Sequence, residues 1–202
     1  MIKVLFTDIG GVCCDNPYRT MSAGLNSMFG IPEATAMAAF VREAVYLDRG
    51  DIDFRSFHAR VISDLGIQVD FEHFEAMHME SLSLKSDVCS LVKEVSRKNG
   101  VRLVALSNMP EYTWRLLDEK YRLAGMFDDA ILSYSCSVVK PDAAIFAIAL
   151  RKEGVDASES LFIDDRKENV EEAGRIGIQS ILFSNCEQLK RDLSINGLTA
   201  LP

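Results

Sequence analysis

An apolar run, residues 2–7 (IKVLFT), opens the chain and ends at Asp8 before the pair Gly10-Gly11, and no convincing strand follows it until residue 101. Short continuous apolar runs rich in β-branched and aromatic residues are the pattern of a buried strand, and the glycines behind this one mark a tight turn. Between the two runs the pattern is helical. Residues 19–28, 33–47, 54–65 and 71–82 carry apolar residues at helical spacing, with Gly30, Gly50 and Gly66 as punctuation and Pro32 at a first helical position. A buried strand needs partners for its backbone groups. The helical block therefore reads as an insertion behind the first strand, not as a separate domain at a chain end.

From residue 87 the pattern alternates. Helix 87–98 closes on Asn99-Gly100, and strand 101–106, helix 111–120 and a short strand 130–133 follow. Then come helix 142–152 ended by Gly154, strand 160–164, helix 166–175, strand 178–183 and a last helix over 187–193, before a loose tail ending LTALP. Strands separated by amphipathic helices predict an α/β chain with a parallel sheet covered on both faces. The expected core comprises residues 1–15 and 84–202, and residues 16–83 form an all-helical cap.

Composition narrows the function classes. The 202 residues are 48% hydrophobic and 26% charged, a globular balance. A chain of this length buries about 70% of its extended surface without disulfides or structural metals. Lys and Arg number 22 against 30 Asp and Glu, a net charge of −8, so no basic excess exists to offset nucleic-acid or lipid phosphates. Neither nucleic acid nor a membrane is an expected partner. A small anionic substrate in a locally positive site remains compatible. The five cysteines are odd in number and show no C-x-x-C pair, which predicts a reduced, cytoplasmic protein. The opening run contains Asp8 and lacks the pattern of a signal peptide, and no stretch approaches a membrane span.

In an open parallel sheet, functional groups collect where the C-terminal ends of strands meet the following loops. Four such places stand out: Asp8, Ser107-Asn108, the segment before Lys140-Pro141, and Asp164-Asp165. Carboxylates at two strand ends make a hard, oxygen-rich site suited to Mg²⁺. A lysine, a serine and free backbone N–H groups suit a phosphoryl oxygen.

The order and spacing of these residues resemble the haloacid dehalogenase-like (HAD) hydrolase superfamily, in its phosphatase type with a helical cap inserted after the first strand. VLFTDIGGV is similar to the first family motif, hhhDxDG(V/T), with Asp8 at the nucleophile position; LVALSN is similar to the second, with Ser107. VVKPDAAIF is similar to the third, with Lys140, and LFIDDRKENVEEA to the fourth, with Asp164 and Asp165. The resemblance implies a Rossmann-like three-layer core with the first strand in mid-sheet and the cap above the C-terminal edge. It implies a Mg²⁺-dependent phosphatase acting on a small phosphorylated metabolite, with a sugar phosphate among the candidates, through an aspartyl-phosphate on Asp8. Mg²⁺ would be held by Asp8, the Gly10 carbonyl, Asp164 and, directly or through water, Asp165. Ser107 and Lys140 would bind the transferring phosphoryl group, and Asn108, Met109 and Arg49 would touch the substrate. A monomer or a homodimer is expected.

One departure matters. Phosphatases of this type carry a second aspartate two residues after the nucleophile, which protonates the leaving alkoxide and later activates water; here that position is Gly10. The chain looks most similar to members with DxGx(V) at this motif, sugar-phosphate phosphatases among them, so the acid is left unidentified. Two other readings stay open: a dehalogenase, in which Asp8 attacks carbon and displaces halide, and a binding or regulatory protein that keeps the fold without catalysis. The Asp164-Asp165 pair favours the phosphatase, because a dehalogenase needs no metal. Among lesser candidates, Asn169 would orient a carboxylate or a metal-bound water. Arg19, Arg42 and His58 in the helical block are expected to face solvent or tie helices together. His73 and His78, five residues apart, do not share a helix face well enough to hold a metal. Cys13 and Cys14 read as reduced residues of the loop behind the nucleophile.

Overall fold

The computed structural model describes residues 1–200; Leu201 and Pro202, the end of the expected tail, lie outside the described residues. Strand β1 (Val4–Thr7) is followed by four helices, α1 (Pro17–Phe29), α2 (Glu33–Asp48), α3 (Phe54–Leu65) and α4 (Phe71–Ser81). The chain then runs through α5 (Ser86–Asn99), β2 (Arg102–Ser107), α6 (Glu111–Tyr121), β3 (Asp129–Leu132) and α7 (Ser133–Cys136). It ends with α8 (Ala143–Glu153), β4 (Ser160–Asp164), α9 (Lys167–Arg175), β5 (Gln179–Leu182) and α10 (Cys186–Ile195). Every expected helix and strand is present. Ser133, expected to finish a strand, instead begins the short α7, and Pro32 is the cap before α2, not its first residue.

Local chemistry explains the helix ends in the inserted block. Asp53 and Asp70 cap α3 and α4 by accepting the N–H groups of Ser56 and His73, both at 2.7 Å. Gly66 closes α3 at φ 64°, a left-handed conformation that costs glycine little.

The five strands are all parallel, in the order β3-β2-β1-β4-β5, so β1 lies in mid-sheet. Alternate side chains go to opposite faces, as a strand's two-residue period requires. Leu5, Leu103, Leu161 and Ile163 pack with Val88, Val92 and Val95 of α5 and with Leu189 and Leu193 of α10. Val4, Phe6, Val104 and Phe162 pack with Ile145, Phe146 and Ala149 of α8 and with Ala173 of α9. Two helix layers thus enclose the sheet and leave its C-terminal edge open.

Helices α1–α4 bury a core of their own, built on Met21, Leu25, Phe40, Phe57 and Phe74, with the Tyr18 and Phe40 rings stacked at 5.2 Å. The block is fastened to the α/β core chiefly through α6. Phe54 stacks on Tyr112 at 4.6 Å, and His78 Nε2 meets Thr113 Oγ1 at 2.9 Å. Where the chain leaves the core and returns, Asp15 N–H donates to Ser83 O at 2.9 Å and Lys85 N–H to Cys13 O at 2.8 Å, an antiparallel clasp around the Cys14–Leu84 bridge.

Because the helical block has a separate core, damage to it should be felt there first. Phe57→Ala should cost about 3–5 kcal/mol, the usual penalty for emptying a buried phenylalanine site. Hydrogen exchange should show α1–α4 losing protection while β1, β2 and β4 keep theirs; equal loss in both regions would mean that the two cores unfold as one.

Candidate active site

Strand register builds the site. Thr7 pairs with Ala105 on one side and Ile163 on the other, and Asp8 N–H donates to Ile163 O at 2.9 Å. Asp8 therefore emerges beside Asp164, with Ser107 ending β2 on its other flank. Ser107 Oγ donates to Asp8 Oδ1 at 2.7 Å. Lys140 Nζ reaches Asp8 Oδ1 at 3.0 Å, Asp164 Oδ2 at 2.6 Å and Leu106 O at 2.8 Å. An ammonium has three N–H groups, and all three are used. Lys140 is only 3% exposed, so this matching is what makes its charge tolerable there. Asp8 Oδ2 enters no hydrogen bond among the described residues.

Two asparagines hold these charges in place. Asn108 clamps the Lys140 backbone: its Oδ1 accepts the Lys140 N–H at 2.7 Å and its Nδ2 donates to the Lys140 carbonyl at 2.9 Å. Asn108, expected to touch the substrate, lines the cavity above Asp8 while its amide positions the lysine. Asn169 Nδ2 donates to both Asp164 oxygens, at 2.9 and 3.0 Å, and the Arg166 N–H adds a 2.8 Å bond to Oδ1. Asn169 Oδ1 is buried with no partner.

The balance of charge is negative. Burial, and then the Asp164 charge, push the Asp8 carboxyl up to about 6 against the pull of Lys140. Burial alone would lower the Lys140 ammonium, but Asp164 and Asp8 outweigh it and hold it above its ordinary value. Asp165 is raised by burial and by Asp164. Carboxylate oxygens of Asp8, Asp164 and Asp165 lie within 4.8 Å of one another. With one lysine among three carboxyl groups and an orphaned amide oxygen nearby, this donor set fits a hard divalent cation. Gly11 is shaped by the same crowding: at φ +88° it has no side chain where a Cβ would come within 2.2 Å of Asp165 Oδ2. At Gly10 the opposite holds, since a Cβ there would meet nothing within 4 Å.

A cavity of about 380 Å³ opens above Asp8, between the core loops and α1, α2 and α4. Asp8, Gly10, Lys140 and Asn169 line it from the core, and Tyr18, Asp48 and His78 from the helical block. Met109, expected to touch the substrate, lines it. Arg49, expected to do the same, is not among the lining residues: its guanidinium is turned to Asp51, with Nε at 2.8 Å from Oδ2. Successive helical residues point about 100° apart, and at the end of α2 it is Asp48 that faces the cavity. Val41, Ala44, Val45 and Asp48 form one i, i+3, i+4, i+7 stripe lining it, and that periodicity was the available signal for Asp48. Tyr18, His78 and Arg166 also line the cavity without a distinguishing sequence pattern.

The lesser candidates serve structure. Arg42 pairs with Asp64, and His58 Nε2 meets the Val69 carbonyl at 2.7 Å. Cys13 and Cys14 are buried free thiols, and burial pushes Cys14 up to about 12, far from a reactive thiolate. The Asn108 clamp is directly testable. Asn108→Ala leaves buried Lys140 backbone groups unpaired and should cost about 1–3 kcal/mol in denaturant unfolding. A variant of unchanged stability would contradict the clamp.

Known proteins resemble this chain in sequence and fold. The chain is similar to Acyl-CoA dehydrogenase family member 10 of Mus musculus, 24% identical over 95% of the chain, which spans only 19% of that protein. It is also similar to the Sesquiterpene phosphatase astK of Aspergillus oryzae, 25% identical over 94% of this chain and 95% of that one. The fold matches that of a HAD family enzyme of Bacteroides thetaiotaomicron solved with magnesium and inorganic phosphate, at a TM-score of 0.72, 22% identity and coverage of 91% of this chain and 95% of that one. It also matches L-2-haloacid dehalogenase of Xanthobacter autotrophicus, at a TM-score of 0.68, 20% identity and coverage of 98% and 85%. The haloacid dehalogenase-like hydrolase model matches residues 2–177, from ahead of β1 to beyond α9, and the chain belongs to that family.

Proposed function

We propose that this hydrolase is a Mg²⁺-dependent phosphatase that cleaves a small organic phosphate monoester through an aspartyl-phosphate on Asp8. The observation that carries the reading is the Asp8 carboxylate at the cavity floor. One of its oxygens is fixed by Ser107 and Lys140, the other is unengaged, and two further carboxyl groups stand beside it. The unengaged Oδ2 is the attacking atom. Ser107 Oγ–H and the Lys140 ammonium, which hold Asp8 Oδ1, would turn toward the transferring phosphoryl oxygens as charge develops there. Asp8, the Gly10 carbonyl, Asp164 and Asp165 are the residues that would hold Mg²⁺, and Asn169 Oδ1 is placed to accept a hydrogen bond from one of its waters. The ion supplies charge neutralisation for phosphoryl oxygens.

Residues 16–83 act as the cap that excludes bulk water and reads the leaving group. Tyr18, Val41, Ala44, Val45 and Met109 give the cavity a largely apolar wall. Such a wall favours an alcohol with an apolar body over a sugar, whose hydroxyls would lose water without gaining enough partners. The near full-length likeness to a protein named as a sesquiterpene phosphatase supports the same choice. The dehalogenase alternative shares the fold and the nucleophile. It is disfavoured by the acidic trio, since attack on carbon gives Asp164 and Asp165 no cation to hold.

Calorimetric titration tests the metal site. Wild type should bind Mg²⁺, and Asp164→Ala should lose detectable binding. Gly11→Ala, which forces Asp165 aside without removing a ligand, should weaken binding roughly 10–100-fold, as displaced supporting groups do. Equal Mg²⁺ affinity in wild type and Asp164→Ala would refute the assignment. A second measurement tests the nucleophile: Asp8→Asn should abolish turnover of aryl and alkyl phosphates alike, and activity surviving it would exclude the aspartyl-phosphate route.

A further inference from the structure

In the proposed reaction the leaving alkoxide must take up a proton, and Gly10 has no side chain to supply one. The space beside Gly10 is open, with nothing within 4 Å of a built Cβ, so no neighbouring side chain has moved in to replace it. Among the described residues, the carboxyl groups lining the cavity are Asp8, from the core, and Asp48, from the last turn of α2. The Asp48 carboxyl takes part in no hydrogen bond or ion pair of the described residues. Its backbone, by contrast, is tied down. Ser133 Oγ donates to the Asp48 carbonyl and accepts the Met109 N–H at 3.0 Å, so the loop behind Ser107 fixes where α2 ends.

We propose that Asp48 is the general acid of this reaction, supplied by the helical block in place of the side chain that Gly10 lacks. The proposal rests on the phosphatase reading above. In the first step, Asp8 Oδ2 forms a bond to phosphorus and the bond from phosphorus to the leaving oxygen breaks. The Asp48 carboxyl proton passes to that oxygen, releasing a neutral alcohol and leaving Asp48 as a carboxylate. In the second step, water attacks the phosphorus of the aspartyl-phosphate, its proton returns to Asp48, and the Asp8 carboxylate leaves. Asp48 ends as it began, and atoms and charge balance.

The surroundings suit a group that must hold a proton and then give it up. Burial pushes the Asp48 carboxyl up to about 7; Asp8 adds to the rise, and Arg166 and Lys140 oppose it. Tyr18 of α1 is itself pushed upward, by burial first and then by Asp48, and stays neutral. His78 of α4, pushed down to about 4 by burial, is neutral as well. Helices α3 and α7, which also pack on α2, bring no charge that shifts it. An acid titrating near the working pH serves both steps, as donor and then as acceptor.

The test measures kcat and KM of the Mg²⁺-saturated protein across aryl and alkyl phosphates of graded leaving-group acidity. It compares wild type, Asp8→Asn, Asp48→Asn, Gly10→Asp and the Asp48→Asn/Gly10→Asp pair. Wild type should show only a shallow dependence on leaving-group acidity. Asp48→Asn should lower kcat/KM, which reports the first step, by about 10²–10⁴-fold for alkyl phosphates and much less for p-nitrophenyl phosphate. It should also remove the alkaline limb of the kcat/KM–pH profile, and lower kcat for both classes because the second step loses its base. Adding Gly10→Asp to Asp48→Asn should restore alkyl turnover. Equal losses in kcat/KM for aryl and alkyl substrates, or none, would overturn the proposal while the Asp8-dependent phosphatase reading stands. A steep leaving-group dependence in wild type would overturn it too, and that measurement needs no variant to fold. Absence of any Asp8-dependent turnover would remove the phosphatase reading and the proposal together.

Discussion

The Lys140 ammonium, buried between Asp8, Asp164 and the Leu106 carbonyl, is the interaction on which the rest of the site depends. Three strand ends meet there: Asp8 follows β1, Leu106 is in β2, and Asp164 ends β4. Without the lysine, two neighbouring carboxylates would stand buried and uncompensated at the end of the sheet. With it, each keeps a defined orientation, and the hydrogen-bonding groups around them follow. Asn108 exists in this arrangement to hold the lysine's backbone, and Asn169 to hold the aspartate on its far side. A charge deficit of positive sign remains, because Asp165 joins the cluster with no cation of its own. That deficit, not any single ligand, makes the site ask for a metal ion.

The helical block and the α/β core divide the remaining work. The core presents polar groups at the ends of parallel strands, where exposed N–H groups and rigid register place them precisely. The block presents a largely apolar surface, because its helices have one face for their own core and another for the cavity. In α2 these are adjoining stripes that meet at Ala44: Ala36, Ala39, Phe40 and Leu47 face the inner cluster, whereas Val41, Val45 and Asp48 face the cavity. The two bodies touch through α6 and through Ser133, so α2 keeps its alignment over Asp8 while the block retains a separate core. This arrangement suits chemistry that must admit a substrate and then exclude water.

Much of this was legible in the chain. Strand and helix boundaries followed from period and turn residues, and the residues at the strand ends were the ones the structure gathers: Asp8, Ser107, Lys140 and Asp164. Arg49 stands out in the sequence because it adjoins Gly50 at a turn between helices, yet its neighbour on α2, Asp48, is the one that lines the cavity. Position at a turn carries no information about helix phase. Asn108 lines the cavity, and its amide also clamps the backbone at residue 140, which nothing local in the sequence announces.

What the sequence determined by itself is local or repeated: the alternation of strands and helices, the insertion behind β1, the polar groups at strand ends and the missing side chain at Gly10. These depend on short-range sterics, hydrophobic period and the chemistry of adjacent residues, all of which are written in consecutive positions. Tertiary structure alone decided the rest: that Asn108 clamps Lys140, that Gly11 must yield room to Asp165, and that Asp48 rather than Arg49 looks down on Asp8. Each of these depends on residues far apart in the chain: β1 registers between β2 and β4, and Phe40, Phe57 and Phe74 pack the helices of the inserted block together. Packing of that kind is a many-body outcome, and no window of consecutive residues contains it.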